Sequence, residues 1–326
     1  MAIPQVAPTP DPEFQAMVRA KYAGNPAAIT DLGARLLVGR EAPCAPVDGA
    51  ALLVEAGQQG DAGAFGYIAI IAAAGVGRAQ SWPDAFEAIG RAAALGEAKA
   101  QRQIGLLRGM GVAAAAAVRG WLDAPAGETV HDAPPFVAYP GFLTVAACEW
   151  FKERAAPKLV PARVNDAKGT GLKLDPMRTN KGSVFSLIET DLVMQLVRAR
   201  IAHVAGVATA ALEPAEVLHY RVGETYKRHI DFFHPTLTNF AEEMRVKGQR
   251  IKTCLVYLND GFEGGETEFP KIELKFRGGV GGALFFDNVL PNGAGDMNTL
   301  HTGLPPTRGE KWLLSRWMRS KPQQVA

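Results

Sequence analysis

Apolar positions divide the chain into two textures. Between residue 14 and about residue 120 they are dense, dominated by Ala, Leu and Gly, and they recur at a fixed distance. Gly24, Gly60 and Gly96, then Ala28, Ala64 and Ala100, then Leu32, Ile68 and Ile104, and finally Gly39, Gly75 and Gly111, all share an offset of 36 residues. Four columns with one offset predict an array of helical hairpins, in which small residues let helices approach closely and each unit buries its apolar face only against its neighbours. From about residue 134 the spacing changes. "VAACEWFKERAAPKL" and "TDLVMQLVRARIAHVAGV", the latter apolar at positions 192, 193, 196, 197, 201 and 204, predict amphipathic helices after the Pro-marked entry "DAPPFVAYPGFLT". Beyond Glu213 come short β-rich runs bounded by Gly, Pro, Asn and Asp: "EVLHYRV", "RHIDFF", "RIKTCLVYL", "GETEF", "GALFF", "TLHTG" and "KWLLSRWM". Helices followed by many short strands imply an α+β layout that ends in an all-β sandwich or barrel.

At 326 residues the chain exceeds one ordinary domain, and 48% apolar residues are ample for two cores. The expected division is a disordered leader over 1–13, a helical repeat domain over 14–120 and a second domain over 121–326. "MAIPQVAPTPDPEF", with four Pro and no basic region ahead of an apolar core, does not read as a signal peptide. The longest apolar stretches fall well short of the roughly 20 residues that span a bilayer, which excludes a membrane helix. A formal net charge of +2 without a long basic run gives no nucleic-acid footprint. Cys44, Cys148 and Cys254 are scattered and lack C-x-x-C spacing, so neither a disulfide framework nor a zinc site is expected, and a reducing cytoplasm fits. The helical array offers either a concave surface for a protein partner or a stabilising cap.

The chemistry concentrates in "YRVGETYKRHIDFFHP", residues 220–235. His229 and Asp231 stand two apart in a β-rich run, a spacing that projects both side chains from one strand face about 6 to 7 Å apart. Two ligands make a poor metal site, and His301 in "NTLHTGLPPTRGEKW" is the obvious third. Two imidazoles and one carboxylate on one side of a metal, with the other positions open, is the arrangement of non-haem Fe(II) oxygenases. An isolated H-x-D is more often an ordinary surface pair. Lys311, ten residues after His301 and across a Gly/Pro turn, adds a fixed positive charge for the far carboxylate of a dicarboxylate co-substrate. Tyr220 can donate a hydroxyl hydrogen bond to the same carboxylate, and Thr253 can do likewise. His203, His219 and His234 are not expected to be ligands.

"EVLHYRVGETYKRHIDFF", "GQRIKTCLVYLND", "FEGGETEF", "GALFF" and "LHTGLPPTRGEKWLLSRW" together resemble the prolyl 4-hydroxylase branch of the 2-oxoglutarate/Fe(II)-dependent dioxygenases. With "FLTVAACEWF" and "MRTNKGSVF" upstream, the likeness spans roughly residues 134–320. The N-terminal columns resemble the Sel-one-like relatives of tetratricopeptide repeats. The first resemblance implies a double-stranded β-helix, or jelly roll, with flanking helices, and Fe(II), 2-oxoglutarate and O2 as cofactor and co-substrates, with ascorbate a candidate addition. It implies His229, Asp231 and His301 as iron ligands, Lys311 and Tyr220 as the 2-oxoglutarate anchor, and Tyr226 and Trp317 at positions that face the substrate, although an aromatic on a barrel strand is as often core. The glycine-rich "FRGGVGGALFF" and the lead-in "PNGAGDMNTLH" depart from the family pattern and bear on loop shape, not on the ligands.

The activity implied is hydroxylation, most simply of a proline in a peptide or protein, with release of succinate and CO2. A free amino acid or other small molecule is the alternative substrate. An interaction scaffold whose repeats bind a partner is the alternative of another class, against which the intact set of three ligands, Lys311 and Tyr220 argues.

Overall fold

The computed structural model describes residues 24–165, 172–173, 175–234 and 240–323, so the leader expected over 1–13 lies outside the described residues. The chain forms two compact units: one extends through Leu122 and takes in Ser186–Val197, and the other comprises Asp123–Phe185 and Arg198–Gln323.

The first unit is built from helices α1 (Pro26–Val38), α2 (Pro46–Gln58), α3 (Ala62–Ala74), α4 (Trp82–Ala94), α5 (Ala98–Gly109) and the short α6 (Val118–Leu122). The period of 36 has a physical origin at the helix ends. Asn25, Asp61 and Glu97 are N-caps 36 residues apart, and their side chains accept from the N–H groups of Ala28, Ala64 and Ala100, satisfying donors that the first helical turn leaves open. The glycine columns are the punctuation: Gly24, Gly60 and Gly96 have φ of +81°, +90° and +89°, and Gly39, Gly75 and Gly111 have +70°, +70° and +81°, a region where a Cβ is strained. Ile29, Leu32, Leu36, Leu52, Ala56 and Ala64 form a core among α1, α2 and α3. The α1–α2 contact is tight at two glycines, since a Cβ on Gly49 would lie 2.7 Å from the Gly33 carbonyl oxygen. No helix among the described residues is long and apolar enough to cross a membrane.

The second unit holds helices α7 (Val145–Ala155), α9 (Ala241–Lys247) and the latter part of α8 (Leu192–Ala205), with sixteen strands among the described residues. These are β1 (Glu128–His131), β2 (Phe136–Tyr139), β3 (Val160–Pro161), β4 (Val164–Asn165), β5 (Leu172–Lys173), β6 (Lys181–Phe185), β7 (Ala215–Tyr220), β8 (Tyr226–His229), β9 (Arg250–Tyr257), β10 (Glu263–Gly264), β11 (Thr267–Phe269), β12 (Leu274–Phe276), β13 (Ala283–Asp287), β14 (His301–Gly303), β15 (Pro306–Arg308) and β16 (Lys311–Arg319). The larger sheet runs β1-β2-β13-β9-β16-β7-β6-β3 and the smaller β12-β11-β14-β8, every named pairing antiparallel. Phe136, Leu255, Phe269, Leu284, Phe286 and Leu313 belong to one buried cluster drawn from both sheets, as expected where two inner faces interdigitate. This is the double-stranded β-helix, and the chain as a whole is α+β. Strands β1, β2 and β6 extend the larger sheet through segments whose sequence carries no clean alternation. The central strand β7 is buried along its whole length, and α7 packs against β6 and β7.

Candidate active site

His229 ends β8, His301 begins β14, and the two are direct cross-strand partners. The expectation of one strand face for His229 and Asp231 needs correction, because β8 stops at His229 and Asp231 lies in a bend beyond it. The bend still delivers the carboxylate. One ligand atom from each of His229, Asp231 and His301 lies within 4.8 Å of the other two. His229 Nε2 is 3.8 Å from Asp231 Oδ1, and His301 Nε2 is 3.9 Å from Asp231 Oδ2.

The orientation of each ligand has a separate cause. His229 Nδ1 is 2.8 Å from the Lys227 carbonyl oxygen and His301 Nδ1 is 2.9 Å from that of Thr299, so each Nδ1–H donates to backbone and each Nε2 lone pair is left for a metal. His301 lies against the rings of Phe269 and Phe286, at centroid distances of 5.3 and 5.6 Å. The Tyr226 ring stacks on His229 at 3.5 Å and 13°. Burial, followed by the neighbouring His301, pushes His229 down to about 3, so that imidazole is neutral at physiological pH. Burial works to raise Asp231, but His301, His229 and the Thr253 hydrogen bond hold it below the usual carboxylate range. Two imidazoles and one carboxylate are the donor set that suits Fe(II), and the three residues fit a divalent ion.

Thr253 departs from expectation. Its side chain is fully buried on β9 and its one hydroxyl proton goes to Asp231 Oδ2 at 2.7 Å, while its oxygen accepts from Asn288 Nδ2 at 2.9 Å. A hydroxyl with its proton committed to Asp231 has none left for 2-oxoglutarate, so Thr253 orients the carboxylate.

Lys311 begins β16 and pairs with Tyr220, the last residue of β7. Its side chain is 1% exposed, its Nζ donates to the Gly265 carbonyl at 2.8 Å, and it lies 5.3 Å from the ring centroids of both Tyr220 and Tyr257. Burial lowers Lys311 from 10.5 to about 7, with Glu266 opposing part of the shift, and burial raises the Tyr220 phenol. One cavity is lined by the three candidate ligands together with Tyr220, Lys311 and Trp317. A buried cation that can recover its proton next to a carboxylate, a phenol and a ligand triad form a site for a chelating diacid.

A second, larger groove of about 450 Å³ reaches Asp231 and is lined by Tyr226 and Trp317. The Arg250 guanidinium lies 4.0 Å from a Trp317 ring centroid, and the buried indole N–H has no hydrogen-bond partner in the described structure. Sequence reasoning missed the groove's buried ion pair, in which Arg178 Nη2 donates to Glu216 Oε1 at 2.7 Å while its guanidinium lies 4.7 Å from the Tyr226 ring centroid. The available signal was Glu216 itself, a carboxylate in a strand, β7, that is buried along its whole length. His219 contacts Glu310 at 2.9 Å and His203 contacts Asp123 at 3.0 Å, so neither joins the cluster.

Residues 215–319 match the 2OG-Fe(II) oxygenase superfamily. The chain is 33% identical over 208 residues to a probable prolyl 4-hydroxylase 9 of Arabidopsis thaliana, covering 59% of this chain and 70% of that protein. It is 34% identical over 211 residues to prolyl 4-hydroxylase 5 of the same plant, covering 58% and 70%. Among solved structures it is similar to the viral collagen prolyl hydroxylase of Paramecium Bursaria Chlorella virus-1 in complex with 2-oxoglutarate, with a TM-score of 0.45 and 25% identity over 59% of this chain and 99% of that one. Such a family implies Fe(II), 2-oxoglutarate and O2. The chain belongs to the prolyl 4-hydroxylase branch of the 2-oxoglutarate/Fe(II)-dependent dioxygenases.

Proposed function

We propose that the chain hydroxylates a prolyl residue of a peptide or protein, consuming 2-oxoglutarate and O2 and releasing succinate and CO2. The observation that carries this reading is a ligand triad, with Asp231 and His301 buried and His229 partly buried, sharing one cavity with Lys311 and Tyr220, beside a groove roomy enough for a chain segment. In this reading His229, Asp231 and His301 hold Fe(II), which with 2-oxoglutarate and O2 supplies the oxidising power to hydroxylate an unactivated carbon. Protonated Lys311 and the Tyr220 hydroxyl hold the distal carboxylate of 2-oxoglutarate. Thr253 keeps Asp231 aimed at the metal. Tyr226 and Trp317 line the groove with aromatic faces suited to a pyrrolidine ring, and the Trp317 N–H is available to a substrate carbonyl. Ascorbate serves to keep the iron ferrous.

The helical unit, in the same reading, recruits the target. Val54, Phe65, Ile68 and Ala88 give it a cleft of about 230 Å³ with charged edges. The three thiols are free, as suits a reducing cytoplasm.

The test is mass spectrometry of proline-containing peptides and of free amino-acid pools incubated with the protein, Fe(II), 2-oxoglutarate and ascorbate. A one-oxygen mass gain on a peptidyl proline, with matched succinate release, is expected. A product found only among free amino acids would replace the peptide substrate with a small one, and succinate release that no proline peptide stimulates would overturn the reading.

A further inference from the structure

Asn288 directly follows β13, is fully buried, and is held at three points. Its backbone N–H donates to the Ile251 carbonyl at 2.8 Å, its carbonyl accepts from the Asp296 N–H at 2.9 Å, and its side-chain Nδ2 donates to the Thr253 hydroxyl at 2.9 Å. Two of these arms lead to different ligands of the cluster. Along the backbone, the Asp296 carbonyl accepts from the Thr299 hydroxyl at 2.7 Å, and the Thr299 carbonyl accepts from His301 Nδ1 at 2.9 Å. Through the side chain, the Thr253 hydroxyl donates in turn to Asp231 Oδ2 at 2.7 Å. The first arm pins Asn288 in place, and the second sets the state of the carboxylate.

The direction of the side-chain arm is fixed by donor chemistry. A hydroxyl has one proton and two lone pairs, whereas an amide NH2 only donates. With Nδ2 against its oxygen, Thr253 accepts on that side and its proton is left for Asp231. The opposite amide orientation would set Asn288 Oδ1 and Asp231 in competition for one proton. The orientation leaves a cost in view, because Asn288 Oδ1 is buried and has no hydrogen-bond partner in the described structure. A buried acceptor left unmade is destabilising, so an amide is a poor choice here as filling, and its use lies in the N–H that faces Thr253. Successive buried donors also polarise one another, which strengthens the last link of the chain.

We infer that Asn288 is a positioning residue for the metal site: its amide fixes the direction of the Thr253 hydroxyl and, through it, the aim of the Asp231 carboxylate. The inference rests on the reading of His229, Asp231 and His301 as the iron ligands, and it adds a residue that lines neither the ligand cavity nor the groove.

The experiment is an anaerobic calorimetric titration of the metal-free full chain with Fe(II), made on the parent, Asn288→Ala, Thr253→Val and the double variant. Asn288→Ala should weaken iron binding about three- to tenfold, less than loss of the Thr253 bond itself, because it acts one link further out. The Kd for 2-oxoglutarate, measured at saturating iron, should change by less than about twofold. In the Thr253→Val background the Asn288 substitution should cost nothing further, since the hydroxyl it directs is gone. A residue that only fills space would lose the same affinity in both backgrounds. That result, or an unchanged iron Kd in Asn288→Ala, overturns the inference and leaves the ligand assignment standing. If circular dichroism shows Asn288→Ala to be unfolded, Asn288→Leu, which keeps a branched side chain without either polar atom, takes its place in the same cycle. A parent chain that takes up no iron overturns the ligand assignment and the inference together.

Discussion

The two units solve the problem of specifying structure in opposite ways. In the helical array the helices pack chiefly on their neighbours in sequence, and the same few devices return every 36 positions: an acceptor side chain at Asn25, Asp61 or Glu97, a small residue three later, and a left-handed glycine at the end of the turn. In the oxygenase unit, His229 meets His301 across 72 positions, and Tyr220 meets Lys311 across 91. Redundancy in the first means that no one residue should be decisive for function. Convergence in the second means that a handful should be, and the difference can be tested residue by residue.

The largest effect is expected at Asp231. Asp231→Ala removes the carboxylate of the cluster and leaves two imidazoles, so stoichiometric iron binding disappears and turnover falls by more than about a thousandfold. Far-UV circular dichroism should keep its helical signature, because the helices owe nothing to this side chain. Full activity in that variant would remove the metal site from the account.

Next comes Lys311. Deleting one partner of a buried charge pair costs about 2 to 5 kcal/mol, so Lys311→Ala should weaken 2-oxoglutarate about 30- to 4,000-fold, chiefly in its apparent affinity. The sign of the pH dependence follows from burial. Before the diacid binds, burial outweighs the opposing Glu266 and Lys311 gives up its proton near pH 7, whereas the bound diacid requires the charged form. Above about pH 7 binding must therefore take up a proton, and the Kd for 2-oxoglutarate should rise about tenfold per pH unit. Below that pH it should be flat, and the Ala variant should lose the slope. A Kd independent of pH between 7 and 9 would show that the ammonium stays charged in the free pocket.

How much of this was legible in the sequence follows from the same contrast. The period of 36 announced the helical array because the hydrogen bonds that produce it are local, although the capping residues that cause it went unread: Asn, Asp and Glu differ in type while doing one job. The strands of the oxygenase unit were visible where they alternate or run apolar, as in β7, β9 and β16. Short strands such as β1 and β2, which extend the edge of the larger sheet, carry little pattern of their own. Ligand-type residues could be named because few side chains bind Fe(II). Their environment could not, because it depends on register: that Thr253 spends its proton on Asp231, that Tyr226 stacks on His229, and that Arg178 buries a pair with Glu216 are consequences of which strands become neighbours.

Thr253 offers an intermediate case, a residue of the oxygenase unit that acts through another. Thr253→Val keeps the shape and removes the hydrogen bond to Asp231, and an outer hydrogen bond to a metal ligand is worth about 10- to 100-fold in metal affinity. Iron titration should show a loss in that range while the KM for 2-oxoglutarate, measured at saturating iron, changes little. If instead 2-oxoglutarate affinity fell and iron affinity held, Thr253 would be a contact of the co-substrate after all.

The smallest functional effect should come from the helical unit, and its size sharpens the comparison most. Gly49 faces the Gly33 carbonyl so closely that an added methyl would sit 2.7 Å from that oxygen and 3.1 Å from the Leu37 nitrogen. Backbone cannot yield as a flexible side chain does, so Gly49→Ala must push α1 and α2 apart, at about 1 to 3 kcal/mol. Thermal unfolding followed by circular dichroism should move to lower temperature. The kcat for a short proline peptide at a temperature where the variant is folded should stay within about twofold of the parent, because the ligand triad and Lys311 are built without that contact. A large loss of kcat in a folded Gly49→Ala protein would mean that the helical array does more than stabilise or recruit, and that the geometry of the iron site depends on helices that share no residue with it.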